Sequence, residues 1–431
     1  MKLCYTHKES NSRLLLVYAG WSTDESAFAA LRCPGYDIAV ASDYSELLPL
    51  EITGYSEIVL LAWSLGVHAA ELTAARLPLT LTIAVCGTPT PVSDLTGIPE
   101  AIWHATAEGL SEASLTKFRR RMGAASMNRG DRSIESLRAE LLAFPTDAVP
   151  FRWDRAIIAS DDRIFPPANQ LRAWQGRAEI TEIAGPHTPD FQQIVDRFVI
   201  NKQLVGSRFA KGLPTYDGAA DVQHRIADHL FSLWQKHGLQ TSSVLEIGVG
   251  SGYFTSLYSR KLHNAAITLW DIAPASDRVI EADAEAALST VSEHFGTIVS
   301  ASTMQWFNSP AAFLLQVARV LEPGGLAVLS TFGPETFREL SSAGVVGLPY
   351  LSESSLRRIV PADMEILELH SGLIVKSFAE PIEVFRHLQA TGVNGRRSER
   401  PLSEIIASYP RAAGGRCELT YQPVYLLLRK R

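Results

Sequence analysis

The segment VLEIGVGSGYFT, residues 244–255, decides how the second half of the chain folds. Its apolar start is typical of a buried parallel strand, and the pattern becomes helical from Tyr253. Between them stand Gly248, Gly250 and Gly252, which permit positive φ angles and close approach of a ligand to the backbone. Because ligands bind at the carboxyl ends of strands in doubly wound sheets, the segment predicts a nucleotide site.

The spacing of this turn favours a positively charged nucleotide over a diphosphate. The glycines read G-x-G-x-G, not the G-x-G-x-x-G of pyrophosphate sites, and Glu246 precedes them by two residues. A helix N-terminus attracts phosphate, whereas this carboxylate repels it. Asp271 ends the next apolar run and is placed for ribose hydroxyls. Asp283 and Ala284 end the third run, where an adenine would lie.

Together these features resemble the class I S-adenosylmethionine methyltransferases. The resemblance implies a Rossmann-like, seven-stranded sheet, S-adenosylmethionine as the methyl donor and no metal ion. It also implies a set of donor-binding residues at the strand ends. These are Glu246, Gly248, Gly250, Gly252, Asp271, Asp283, Ala284 and Ser302.

Length and composition narrow the class of protein. At 431 residues the chain is too long for one ordinary core, so we expect two domains or three. No run approaches the ~20 apolar residues of a membrane span, and the start MKLCYTHKES lacks the order of a signal peptide. Four scattered cysteines predict free thiols in the cytoplasm. A net charge of −6 does not favour nucleic-acid binding.

The first half of the chain also has an α/β pattern. Short apolar runs alternate mostly with helical stretches, which predicts a parallel sheet. The predicted strands are residues 13–19, 36–41, 57–62, 79–86, 156–160 and 178–183.

A serine follows the third of these runs, in the pentad AWSLG at residues 62–66. Small residues around Ser64 on a strand-to-helix turn indicate the nucleophile elbow of α/β-hydrolases, although alanine replaces the usual first glycine. The turn would also aim the backbone N–H of Leu65 at an oxyanion. The alternative is a simple helix N-cap, a common role for serine.

Two later residues favour the nucleophile. Asp162 follows the fifth run and His187 the sixth, so serine, acid and histidine come in the hydrolase order. Asp162 is preferred to Asp161 because it stands four residues before a proline, as in the hydrolase D-x-x-x-P loop. The N–H of Trp21, in the loop after the first strand, is the candidate for a second oxyanion donor.

Residues 91–150 have a helical pattern and predict a lid over this site. The lid contains a basic run, Lys117 to Arg121, followed by Arg129. Such a run is usually a solvated face. In an acidic protein, Arg119, Arg120 and Arg121 are also candidates for docking an acidic partner.

The motifs of the first half, taken together, resemble the BioG-type esterases that act on pimeloyl-carrier methyl esters in biotin synthesis. The resemblance rests on GWSTD, AWSLG, SDDRIFPPANQLRAW and GPHTPDF, and covers residues 1 to about 200. It implies an α/β-hydrolase fold with a helical lid. We place this domain at residues 1–205.

Residues 206–431 resemble the BioC-type malonyl-acyl-carrier-protein O-methyltransferases. The motifs are TYDGAADVQ, SASTMQWF, LSTFGPETFREL and FRHLQATGVNG. The resemblance implies the acyl carrier protein as a partner, with no role for nucleic acid or membrane. A cation should hold the malonyl carboxylate against desolvation. Candidate substrate-binding residues are Tyr216, Arg338, Lys376 and Arg386.

The two resemblances imply one bifunctional enzyme that installs and later removes a methyl ester on carrier-bound acyl chains. Two alternatives remain open. One is an unrelated serine hydrolase fused to a natural-product methyltransferase. The other is a catalytically dead hydrolase that serves as a carrier-docking module.

Overall fold

The computed structural model describes residues 1–125, 131–147, 149–345, 347–392 and 400–431. Arg129 of the predicted lid and residues 393–395 of the FRHLQATGVNG motif therefore lie outside the described residues. The chain forms two compact units, Met1–Val195 and Asp196–Arg431. No helix among the described residues has the length and apolar character needed to cross a bilayer.

The first unit is built on a seven-stranded sheet in the order β1-β3-β2-β4-β5-β6-β7. All neighbours pair in parallel except β1, which runs antiparallel to β3 at the edge. After their first residues, Arg13 and Glu57, the central strands β2 and β4 are apolar and buried, as expected for a parallel sheet covered on both faces. The strands are Lys2–His7, Arg13–Tyr18, Asp37–Ser42, Glu57–Trp63, Leu79–Val85, Arg155–Ala159 and Glu179–Ile183.

In the described part of the first unit, six α-helices accompany this sheet. The second to fourth, α2 to α4, lie within the segment predicted as a lid, and their N-termini begin with Pro99, Ser111 and Ser133. The two serines cap their helices through side-chain hydrogen bonds. The helices α1 to α6 are Gly66–Thr73, Glu100–Glu108, Glu112–Arg121, Ile134–Ala143, Pro167–Trp174 and Phe191–Phe198.

The junction between the halves differs from the sequence prediction. The predicted boundary at residue 205 falls inside a continuous helix, α7, which spans Lys202–Ala219 and belongs to the second unit. Gly206 and Gly212 suggested a break, but both lie inside the helix, where a Cβ would make ordinary contacts of 3.5–3.6 Å with Ile272 O and the backbone of Gly392. The contacts divide the chain about ten residues earlier, at Val195.

The second unit contains a seven-stranded sheet in the order β10-β9-β8-β11-β12-β16-β13. The last strand of the chain, β16, is inserted antiparallel between β12 and β13, and the other pairs are parallel. A separate two-stranded sheet joins β14 and β15. The strands β8 to β16 are Ser243–Ile247, Ala266–Asp271, Ile280–Glu281, Phe295–Ser300, Leu321–Phe332, Met364–Ser371, Ile374–Phe378, Cys417–Tyr421 and Pro423–Lys430.

Helices cover both faces of this sheet, as the alternation of its buried residues shows. Val244 packs in a cluster with helix α8, whereas its neighbour Leu245 packs in another with helix α11. Two apolar layers on one sheet define a Rossmann-type α/β domain. The helices α8 to α15 are Asp221–Lys236, Tyr253–Ser259, Ala284–Ala287, Pro310–Val320, Arg338–Ser342, Glu353–Ile359, Pro381–Ala390 and Leu402–Ala407.

Candidate functional sites

The predicted serine, histidine and aspartate of the first unit meet in a hydrogen-bonded chain. Ser64 Oγ lies 2.9 Å from His187 Nε2, and His187 Nδ1 lies 2.8 Å from Asp162 Oδ2. All three residues are buried. Ser64 follows β4 directly, and Asp162 and His187 lie three and four residues after the ends of β6 and β7, so the parallel sheet gathers all three at one edge. The chain allows proton transfer from the serine to a neutral imidazole.

The backbone at Ser64 is strained. Its φ is 61°, in the left-handed region that non-glycine residues rarely adopt. The surroundings hold this turn tightly, since a Cβ at Gly87 would lie 2.3 Å from Ser64 O and one at Gly20 would lie 2.8 Å from the Trp63 ring. This is the geometry that the AWSLG pentad predicted.

The acid is fixed by three donors besides the histidine. Asp162 Oδ1 accepts the backbone N–H groups of Ile164 and Phe165 at 2.8 and 2.9 Å, and Oδ2 accepts Gln170 Nε2 at 2.9 Å. The Phe165 ring stacks on the imidazole at 5.9 Å. Gln170 was not predicted from the sequence, because no motif links it to the aspartate.

The two predicted oxyanion donors lie in turns beside Ser64. Leu65 precedes helix α1, and Trp21 lies in the turn that Thr23 N closes on Gly20 O at 3.2 Å. Neither backbone N–H donates to another group in the described part of the chain. Their roles as donors stay predictions.

A buried cysteine also lies near the Ser64–His187–Asp162 chain. Ligand atoms of Cys86, Asp162 and His187 are within 4.8 Å of one another. Burial, together with the charge of Asp162, raises the pKa of the Cys86 thiol well above its usual range, so the thiol stays protonated. Asp162 and His187 bind each other, and the prediction that no metal is needed stays a prediction.

The basic run of the lid is divided between the interior and the surface. Arg120 and Arg121 are exposed, whereas Arg119 is buried and donates to Ser22 O at 2.8 Å. The burial of Arg119 does not support the prediction that it docks an acidic partner. Arg119 lies on the buried face of α3 with Leu115, one helical turn earlier.

In the second unit, the predicted nucleotide turn borders a large cleft of about 850 Å³. Gly248, Gly250 and Gly252 have φ values of 77°, 56° and 84°. At Gly248 a Cβ would lie 2.1 Å from Thr303 Oγ1, so glycine is required there. Gly248 and Gly250 line the cleft, and Gly252 begins helix α9 behind them.

Four further predicted residues line the same cleft: Asp271, Asp283, Ala284 and Ser302. Asp271 Oδ2 accepts Gly250 N at 2.8 Å and Oδ1 accepts Ala273 N at 2.8 Å. Burial raises the pKa of Asp271 above its ordinary value. Ser302 has a φ of 54°, and its buried Oγ has no hydrogen-bond partner in the described part of the chain.

Helix α7 supplies cleft residues that sequence reasoning missed, among them Lys202 and Phe209, besides the predicted Tyr216. Lys202, Phe209 and Tyr216 all line the cleft, although the predicted domain boundary left Lys202 in the first half. The Lys202 ammonium is buried, 2.5 Å from Glu285 and 3.8 Å from Asp283. A buried lysine without a motif carries little sequence signal, so only the fold reveals this position.

Glu246 differs from its predicted role. Its carboxylate is not among the groups that line the cleft. Instead it lies beneath helix α9, where Oε2 accepts Tyr258 OH at 2.6 Å and Thr255 Oγ1 at 2.7 Å. Strand alternation places it on the same face as Val244, against the helices. Glu246 therefore anchors the helix that follows the glycine turn.

This burial predicts a pH-dependent stability. Burial raises the pKa of Glu246 from about 4.5 to about 7. The folded state thus binds the proton more tightly than the unfolded chain. Protonation of Glu246 therefore stabilises the fold fully below about pH 4.5. As the pH rises through 7 this stabilisation is lost, and the free energy of unfolding falls by about 3 kcal/mol at most. We expect Glu246→Gln, which stays neutral, to remove this loss.

The measurement is hydrogen exchange of the β8 amides at increasing urea concentration, for wild type and Glu246→Gln, at pH 5.5 and pH 8.5. At the higher pH, the variant should need more urea than wild type to reach the same exchange. The exposed Glu293→Gln serves as the control. An equal difference at both pH values would contradict the assignment.

A second, smaller cavity of about 390 Å³ adjoins the large cleft. Phe209, Tyr216, Ser302 and Trp306 line both, so they form the junction between the two spaces. The polar side chains that the structure describes around the small cavity are neutral. They are Tyr216, Gln223, Ser302, Gln305, Thr336, Tyr350, Thr391 and Tyr421.

The three predicted cations lie elsewhere in the second unit. Arg338 is about half exposed and paired with Glu335, and Lys376 is paired with Asp221. Arg386 is exposed on helix α14. None of the three lines the small cavity. The prediction that they bind a substrate carboxylate there is not supported, because α12, β14 and α14 carry them on outward faces, whereas Tyr216 does line the cavity.

Comparison with known proteins covers both halves. A malonyl-[acyl-carrier protein] O-methyltransferase from Bacteroides fragilis is 34% identical over 97% of this chain and 93% of its own length. The chain belongs to this methyltransferase family. A second such protein, from Bacteroides thetaiotaomicron, is 29% identical over 54% of this chain and 99% of its own.

Family models divide the chain as its motifs did. Residues 1–196 match the family described as pimeloyl-ACP methyl esterase BioG, and residues 219–367 match a methyltransferase domain. Both resemblances predicted from the motifs are thereby confirmed. The crystal structure of BioG from Haemophilus influenzae aligns with 43% of this chain and 94% of its own, at 32% identity and a TM-score of 0.41.

Proposed function

We propose that this protein is a bifunctional enzyme of biotin synthesis. Its second domain, Asp196–Arg431, methylates the free carboxylate of malonyl-[acyl-carrier protein] with S-adenosylmethionine. Its first domain, Met1–Val195, is an α/β-hydrolase with a helical lid that cleaves the methyl ester of pimeloyl-[acyl-carrier protein]. The membership of the whole chain in the methyltransferase family supports the first activity. The Ser64–His187–Asp162 chain carries the second.

In the esterase reaction, Ser64 Oγ attacks the ester carbonyl while His187 Nε2 takes its proton. Asp162 keeps the imidazole in the required tautomer and stabilises the cation that forms. His187 then protonates the departing methoxide, and water hydrolyses the acyl-enzyme by the same proton transfers in reverse. The N–H groups of Trp21 and Leu65 would bind the oxyanion, where one donor is worth about 10²-fold or more in rate.

The large cleft fits S-adenosylmethionine by the chemistry of its walls. Gly248 and Gly250 admit a ligand close to the backbone, and Asp271 presents a carboxylate suited to ribose hydroxyls. Asp283 and Ala284 stand where an adenine would be recognised. When bound, S-adenosylmethionine supplies an electrophilic methyl group.

The small cavity is the proposed acceptor site. A malonyl carboxylate has an ordinary pKa of about 4, so it is ionised at neutral pH and no general base is required. The protein aligns the nucleophile and strips water from it. Burial and nearby Asp217 raise the pKa of Tyr216 to about 12, so its hydroxyl remains a proton donor. We assign carboxylate binding to the neutral hydroxyl and amide groups around this cavity.

The test of the second domain incubates the full chain with malonyl-carrier protein and isotope-labelled S-adenosylmethionine. Intact-mass analysis should show one added methyl on the carrier-bound acyl group. Methylation of free malonate or of hydroxyl compounds, with the carrier left unmodified, would instead favour an unrelated natural-product methyltransferase.

The test of the first domain uses a fluorophosphonate probe and pimeloyl-carrier methyl ester. We expect labelling at Ser64 and release of the free acid. A protein that binds the carrier but neither reacts with the probe nor hydrolyses the ester would be a docking module with an inactive site.

A further inference from the structure

The loop that contains the proposed oxyanion donor Trp21 is held mainly by the lid. Arg119 donates to Ser22 O at 2.8 Å and to Ala124 O at 3.3 Å. The Phe118 ring packs edge-on against Trp21 at 5.2 Å. Since Ser22 has a φ of 62°, this loop adopts a strained backbone that needs outside support.

The same lid segment also supports the histidine loop. Thr188, directly after the catalytic histidine, donates its N–H to Met122 O at 2.9 Å. Gly123 packs so closely on Pro186 that a Cβ would lie 2.7 Å from the proline Cγ. The end of helix α3 therefore contacts both the loop that contains Trp21 and the loop that contains His187. Acyl transfer requires these two loops to be correctly placed relative to each other.

We propose, as an extension of the esterase function above, that Arg119 is a positioning residue for the oxyanion loop. Its buried guanidinium holds the Ser22 carbonyl, and so restrains the Gly20–Thr23 turn, in which the Trp21 N–H lies two peptide units earlier. An oxyanion donor is effective only when it is aimed before the reaction begins. Arg119 thus acts on the rate of the chemical step, whereas Arg120 and Arg121 are exposed and suit contact with an acidic carrier.

The geometry explains why arginine stands at this position. The planar guanidinium reaches Ser22 O and Ala124 O at the same time, which the single ammonium of lysine does less well. Arg119→Lys should therefore keep the buried charge but hold the loop less firmly. Arg119→Gln removes both the charge and the reach.

The experiment measures hydrolysis of p-nitrophenyl butyrate and of pimeloyl-carrier methyl ester by the full chain. We expect Arg119→Gln to lower kcat on both esters by about 10- to 100-fold, with little change in KM for the small ester. The kcat of Arg119→Lys should lie between those of Arg119→Gln and wild type. Added guanidinium ion should restore part of the Arg119→Gln activity. The exposed Arg76→Gln is the control for loss of a surface charge.

Each outcome separates this role from the others. Loss confined to the carrier substrate, as a higher KM, would show that Arg119 docks the carrier and would overturn the proposal. Wild-type kcat on the small ester in either folded variant would overturn it as well. If Arg119→Gln does not fold, the same comparison of the two esters with Arg119→Lys tests the proposal. A wild-type protein inactive on both esters would refute the esterase function itself.

Discussion

Replacing Ser64 with alanine is expected to abolish ester hydrolysis, lowering kcat by about 10⁴-fold or more. The reason is that Ser64 Oγ is the atom that would form the acyl-enzyme, 2.9 Å from the base that activates it. The alanine variant retains the oxyanion donors and the substrate pocket, so only a small residual rate should remain. The measurement is release of free pimeloyl-carrier from its methyl ester, followed by mass.

Two controls make this prediction specific. Ser56→Ala, an exposed serine just before the same strand, should change the rate by less than about twofold. Methyl transfer to malonyl-carrier by the Ser64→Ala chain should also proceed at the wild-type rate. Ester hydrolysis that survives in Ser64→Ala would mean that the observed activity belongs to another site.

The Ser64–His187–Asp162 chain could be predicted because its signals are local. Each of its three residues comes within four residues after the end of a strand, and the carboxyl ends of parallel strands meet at one edge of the sheet. The glycine turn after β8 is similarly local, since positive φ angles at Gly248, Gly250 and Gly252 require that residue type. In both cases a strand end or a turn determines the sequence pattern and also places the residues in the fold.

Other features depend on packing that the local pattern does not encode. Strand β1 has a half-exposed pattern and lies at a sheet edge, so its apolar signal was too weak to predict. Helix α7 contains three glycines and a proline, which argue against a helix. Tertiary contacts outweigh this preference, because Gly206 lies against Ile272 and Gly212 against Gly392.

The errors at individual charged residues have a further cause. Sequence spacing predicted that Glu246 faces a ligand, but in a strand adjacent residues point to opposite faces, and this one points beneath α9. For Arg119 a usable signal existed: Leu115, Arg119 and Met122 follow a helical repeat, and all three are buried. The helical repeat, applied residue by residue, separates this arginine from its exposed neighbours.

The second large effect is expected at Asp271. Asp271→Asn should weaken donor binding and lower kcat/KM for methyl transfer by about 10²-fold. The carboxylate accepts the Gly250 and Ala273 N–H groups at 2.8 Å each. In asparagine one of these oxygens becomes an NH₂ group that faces a donor, and charge-assisted hydrogen bonds are worth about 1.5–3 kcal/mol. The same change removes a carboxylate proposed to bind ribose hydroxyls.

Calorimetry with S-adenosylhomocysteine measures the expected loss of binding affinity in Asp271→Asn, and the methyl-transfer assay measures the loss of kcat/KM. The matched control is Asp277→Asn, an exposed aspartate six residues later, which should bind as wild type does. Ester hydrolysis by the Asp271→Asn chain should be unchanged, since the proposed esterase residues all lie in the other unit. If the variant binds the nucleoside as tightly as wild type while methyl transfer falls, then Asp271 shapes the turn and does not contact the donor. That result would move ribose recognition to another residue of the large cleft.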